Sequence, residues 1–186
     1  MRTKRRRKRA SEARVPLAEA SRAGQRWSMD FVSDCLVGDR RIRVFAAIDQ
    51  YTRECVSLEV GSTMPASAVT EALERAIKRR RTRPEAITCD NGTEFTSNLF
   101  DAWAHREGIK LDFIRPGRPV ENGLAESFNA RFRDECLNTS WFTSLDHARR
   151  VIDAWRRDYN ETRPHSSLGD LAPAEYAARL LAWNAA

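Results

Sequence analysis

The feature that most constrains this chain is the way its apolar residues switch period. In "RWSMDFVSD" they alternate, with Trp27, Met29 and Phe31 on one side and Ser28, Asp30 and Val32 on the other, the pattern of a strand. "RIRVFAAID" (41–49) and "ECVSLEV" (54–60) read as two further strands, joined as a hairpin through Gln50, Tyr51, Thr52 and Arg53. Past Pro65, expected at a first helical position, the period becomes helical and Val69, Leu73, Ala76 and Ile77 share one face. "AITCD" (86–90) is a short, buried-looking strand ended by the turn pair Asn91-Gly92. A helix over about 97–107, stopped by Gly108, precedes a fifth strand in which Ile109, Leu111 and Phe113 alternate. Helices are then expected around Glu126, from Ser144 with the stripe Leu145, Ala148, Ile152, Trp155 and Tyr159, and from about Pro173. The order βββαβαβααα calls for a mixed α/β sheet with helices on its faces.

A chain of 186 residues can bury one full-sized core, and 41% hydrophobic with 31% charged residues is an ordinary globular balance. No apolar run is long enough for a membrane helix, and no apolar stretch follows the basic start, so a secretory signal is not expected and the chain reads as cytoplasmic. Residues 1–9, MRTKRRRKR, hold seven basic side chains and no acid, so the net charge of +6 leaves −1 for the remainder. Positive charge gathered in one arm (Arg5, Arg6, Arg7 and Lys8) suits the phosphate backbone of DNA, although a solvated tail has the same composition. The expected division is a basic arm and linker over 1–23, a core over 24–138 and a helical extension of that core over 139–186.

Cys35, Cys55, Cys89 and Cys136 form no C-x-x-C pair and His105, His147 and His165 are dispersed, which excludes a zinc finger. Three acids stand at awkward positions. Asp30 lies in an apolar strand where an uncompensated carboxylate is costly. Asp90 closes the short strand before Asn91-Gly92. Glu126 lies across its helix from the core stripe Leu124, Phe128 and Phe132, on a polar side shared with Asn122, Asn129 and Arg133. Such a face suits a helix lying along a phosphate backbone. Asp and Glu total 26, so three acids alone would be a weak pattern, and each has a plain reading as turn former or surface charge.

Positions 91 to 125 place 35 residues between Asp90 and Glu126, and the words around the acids are distinctive. "WSMDFVSD", "IDQYTRECVSLEV", "TCDNGTEFTS" and "RPGRPVENGLAESFNARFRDECLN" resemble the integrase catalytic core of bacterial insertion-sequence transposases of the D,D-35-E type, relatives of retroviral integrases. "WRRDYNETRPHSSLGDLAPAEY" is similar to the segment that closes such enzymes, and the resemblance spans residues 24–180.

The resemblance implies a ribonuclease H-like fold with a five-stranded mixed sheet, in which the first and fourth strands are neighbours. It implies catalytic and metal-binding roles for Asp30, Asp90 and Glu126, and none for Asp34, Asp49, Glu94, Glu121 or Glu135. Glu121 departs from the Asp common at that loop position. Three carboxylates without sulfur or imidazole suit Mg²⁺ or Mn²⁺, with room in principle for two ions. Asn91 is expected beside the site, and Arg115 and Arg118 are candidate phosphate contacts on the loop before Glu126. The implied activity is DNA cleavage and strand transfer at element ends, as a homo-oligomer. The family's full-length enzymes usually carry an upstream helix-turn-helix region, and no such pair precedes Trp27, so a catalytic fragment, a truncated gene product or a chain that needs a companion polypeptide is expected. A non-catalytic, DNA-binding competitor of an intact transposase is the alternative; a host nuclease acting on RNA–DNA hybrids is a weaker one.

Overall fold

Alternation becomes a sheet in the computed structural model, which describes residues 19–115 and 119–184. Strands β1 (Arg26–Cys35), β2 (Arg41–Asp49) and β3 (Cys55–Gly61) form an antiparallel meander, and β4 (Ala86–Cys89) and β5 (Lys110–Phe113) add in parallel on the other side of β1. The order is β3-β2-β1-β4-β5, so the first and fourth strands are neighbours as expected. The parallel steps require crossovers, supplied by α1 (Ala66–Arg80) before β4 and α2 (Asn98–Glu107) before β5. Helices α3 (Gly123–Phe132), α4 (Leu145–Glu161) and α5 (Pro173–Asn184) follow.

The two-residue period of β1 divides the core. Trp27 and Met29 join α1 and α2 in one apolar layer, with Phe31 packed against it. Val32 joins Val44, Ala46 and Ile48 in the other, against Phe128 and Phe132 of α3 and Ile152, Trp155 and Tyr159 of α4. Asp30, in phase with Val32, therefore stands on the α3 side. Burying these aromatic and aliphatic side chains contributes roughly 1.5–3 kcal/mol each.

Local signals set the ends. Ser97 caps α2, its hydroxyl accepting from Phe100 N–H, and Gly108 ends it at φ 65°. Ser144 caps α4 in the same way through His147 N–H. Pro65 precedes the helix as an extended cap instead of opening it, and α1 begins at Ala66. The Asn160 side chain on α4 both accepts from Cys55 N–H and donates to Cys55 C=O, a side-chain substitute for a strand partner at the sheet's outer edge. No helix among the described residues is long and apolar enough to cross a membrane.

Candidate functional site

The parallel register of β1 with β4 pairs Arg26 with Ala86 and Ser28 with Thr88. Two residues further along each chain are Asp30 and Asp90, so neighbouring strands deliver the two acids at one level. Just below them Gln50 Nε2 donates to Ser28 Oγ (2.8 Å) and Thr88 Oγ1 (3.1 Å), tying the strands together. Gln50 stood inside a predicted turn, and nothing in its local pattern marked this role.

Asp90 leaves β4 into a turn that wraps its own carboxylate: Gly92 N–H donates to Asp90 Oδ1 at 2.9 Å. A Cβ on Gly92 would lie 2.9 Å from that same oxygen, which explains the glycine. Asn91 Nδ2 donates to Ile114 C=O (2.9 Å), so Asn91 ties the turn to the end of β5 and makes no bond to the Asp90 carboxylate.

Helix α3 lies across β1 and β2 and brings the third acid. Glu126 is exposed in its first turn, while Asp30 and Asp90 are half-buried. Asp30 accepts from Phe31 N–H (2.7 Å) and from Asn129 Nδ2 (2.9 Å). Burial raises its pKa above the ordinary value, the charges of Asp90 and Glu126 add to the rise, and the two hydrogen bonds oppose it. The three acids named from sequence thus act on one another electrostatically at Asp30. Among the described residues no three acidic, histidine or cysteine side chains are gathered tightly enough to form a finished coordination cluster. A carboxylate raised by two neighbouring acids nevertheless suits a cation, and Asn129 Oδ1, buried without a donor, is a further hard oxygen left unsatisfied.

The polar flank of α3 expected to face DNA is largely turned to β1. Asn122 is 3% exposed and donates to Met29 C=O (3.2 Å), which makes it unavailable to a nucleic acid. Arg133 donates to Ser33 C=O (3.0 Å) from an exposed position. Arg115 pairs with Glu121 through its guanidinium and its backbone N–H, closing the base of the loop between them. Arg5, Arg6, Arg7, Lys8 and Arg118 lie outside the described residues.

The remaining acids have other partners. Asp49 accepts three backbone N–H groups. Glu94 pairs with Arg43, whose guanidinium also lies 4.1 Å from the Phe31 ring centre; burial pushes the Glu94 carboxyl up, but the bonds from Arg43, its own backbone and Thr93 hold it below the ordinary value. Glu135 accepts from Trp155 Nε1 (3.2 Å) and pairs with Arg163. Asp34 accepts from Cys35 N–H at 2.8 Å.

Known proteins resemble this chain in sequence and in fold. Two models described as integrase core domain match residues 20–119 and 107–173. An uncharacterized 31.7 kDa protein of insertion element IS407 from Burkholderia multivorans is 46% identical over 179 residues, 96% of this chain and 64% of its own length. Transposase InsF for insertion sequence IS3A of Escherichia coli is 26% identical, with coverage of 88% and 57%. The chain spans roughly half to two thirds of the length of the curated relatives it matches. The HTLV-2 integrase catalytic core domain, solved in complex with magnesium, superposes with a TM-score of 0.66 at 18% identity, over 83% of this chain and 97% of that one. The fold is the ribonuclease H-like fold of integrase cores.

Proposed function

The chain belongs to the integrase core domain family, and from that premise we propose that it is the catalytic core of a DNA transposase that cuts and joins strands at the ends of an insertion sequence. The observation that carries this reading is the β1–β4 register that levels Asp30 with Asp90, under a helix α3 that carries Glu126 and bonds Asp30 through Asn129. The partners on this reading are element-end and target DNA, engaged by a homo-oligomer in the bacterial cytoplasm, with DNA reading supplied by a helix-turn-helix on a companion polypeptide or another part of the enzyme.

Asp30, Asp90 and Glu126 would hold Mg²⁺ or Mn²⁺, two ions on the family resemblance. A metal held there would supply Lewis-acid chemistry to the phosphate and to the oxygen that attacks it. The protein's own part is orientation. Asn129 and Phe31 N–H hold the Asp30 carboxylate in place, and Gly92 N–H holds that of Asp90. Glu126, on the exposed side of the site, would be the third ligand. Burial of Asp30 leaves it poorly solvated, so its interaction with a cation is strengthened.

A strand-transfer assay with pre-cut ends and Mn²⁺ tests the reading. Glu126→Gln is expected to lower joining on the order of 10²–10³-fold, the scale seen when one electrostatic stabiliser of a transition state is removed. DNA affinity and the thermal unfolding midpoint should stay near wild type. Normal joining by Glu126→Gln would remove the carboxylate assignment. Binding without joined product by the wild type would favour the competitor, and preferential cleavage of RNA–DNA hybrid the nuclease.

A further inference from the structure

A cavity of about 540 Å³ opens on the other flank of α3, between that helix, the β2–β3 turn and the loop after α4. The side of α3 presented to it carries Gly123, Ser127 and Arg131, spaced four residues apart, with Gly123 one turn before Glu126 on the helix surface. Arg53, at φ 62° in the tight turn after β2, supplies a second guanidinium to the lining. Neither arginine side chain makes an ion pair or a hydrogen bond among the described residues, whereas Arg43, Arg80, Arg115 and Arg163 are all paired. One acid, Asp170, lies on the rim, where it is exposed.

The third element is the segment "RPHSSLGD". His165 N–H donates to Leu171 C=O at 3.0 Å, and Gly169 (φ 65°) and Asp170 (φ 61°) turn the chain back, so the segment is a closed loop pinned at its neck. It sets His165 into the lining at 9% exposure, edge-on to Tyr159 with ring centres 5.0 Å apart, and leaves Nε2 buried without a hydrogen-bond partner. Burial and then the charges of Arg131, Arg53 and Arg163 hold the imidazole pKa below its ordinary value. The cavity therefore gathers two arginines without ion-pair partners among the described residues and a buried polar ring against one exposed acid on its rim, an environment completed by an anion with several acceptor oxygens.

We propose that this cavity is a phosphate subsite for the backbone of the DNA strand processed at Glu126, with Arg53 and Arg131 as its charged contacts and the His165 loop as its floor. The proposal rests on the transposase reading for the identity of the strand. Gly123, Ser127 and Arg131 then give α3 a DNA contact on this flank, while Asn122 and Asn129 anchor the helix on β1. A phosphodiester held here would lie one helix flank from Glu126 and fix the strand's position relative to the acids.

The test measures DNA binding by fluorescence anisotropy over a salt series, on the full chain. Arg131→Gln and Arg53→Gln should each weaken binding several-fold at low salt and reduce the slope of log affinity against log salt by about one. Arg106→Gln, on exposed α2 in the opposite layer, is the control and should leave the slope unchanged. Both arginines are at the surface of the cavity, so unfolding midpoints should remain near wild type. In parallel, adding a single-stranded oligonucleotide should shift the imidazole NMR signals of His165. Unchanged slopes in both variants, or equal losses in all three, overturn the proposal. A His165 shift with inorganic phosphate but no slope change in the variants also overturns it, because the cavity would then take a free anion and not DNA. The outcome is separable from the catalytic reading: joining by Glu126→Gln sinks that reading without altering the salt slopes of the arginine variants.

Discussion

Asp49 and Asp30 stand on adjacent antiparallel strands, and their surroundings are opposite. Asp49 is fully buried, yet Oδ2 accepts Gly24 N–H (2.7 Å) and Oδ1 accepts Tyr51 and Thr52 N–H (2.9 and 3.0 Å). Three fixed backbone dipoles replace its water, and the carboxylate in return organises the hairpin turn and the chain entering β1. Asp30 is less buried, but it has one backbone donor, one amide, and two like charges nearby. The depth of an acid therefore says little about its role; what matters is whether the fold supplies enough donors to complete it. Asp49 is completed by the polypeptide, and Asp30 is left to be completed by something else.

The largest effect expected from that contrast is at Asp49. Asp49→Ala should destabilise by about 3 kcal/mol or more, because three backbone donors lose their acceptor at roughly 1–3 kcal/mol each. Urea unfolding measures this, and a loss below about 1 kcal/mol would break the comparison. Next is metal. Mg²⁺ at five times its dissociation constant should stabilise the wild type by about 1 kcal/mol, read as a rise in the thermal midpoint. The rise should shrink in Asp30→Asn and Glu126→Gln; an equal rise in all three would separate the ion from these acids.

The smallest effect concerns Asp30 alone. Its folded pKa is raised above the unfolded value of about 4, so the folded state holds the proton more tightly. The associated stability is complete below the unfolded pKa and is lost as pH rises through the folded one. Asp30→Asn should remove that decline and leave the protein slightly more stable than wild type at neutral pH without metal. A steeper decline in the variant would mean that another group carries it.

Much of the fold was legible because its determinants are local. The alternation of Trp27, Met29 and Phe31 against Asp30 and Val32 settled which layer each would join, and Ser97, Gly108 and Ser144 marked helix ends that the structure bears out. Asp30, Asp90 and Glu126 were singled out through their words and spacing more than their chemistry. Pro65 and Asn122 were less so: one caps where a first helical position was expected, and the other is buried against Met29 where a DNA-facing amide was expected. Helical periodicity separates a polar side from an apolar one, but it does not say which polar flank will lie against a neighbouring strand.

By itself, then, the sequence determined the order of strands and helices, the faces of β1, and the presence of an acid at Asp30, Asp90 and Glu126, since periodicity and short-range turn chemistry act within a few residues. Tertiary structure decided the β1–β4 register that levels Asp30 with Asp90, the Asn129 amide on Asp30, and the cavity of Arg53, Arg131 and His165 on the other flank of α3. These groups come from segments far apart along the chain and depend on the order β3-β2-β1-β4-β5 and the angle at which α3 crosses it. Such placement is a property of the packed layers and has no local signature.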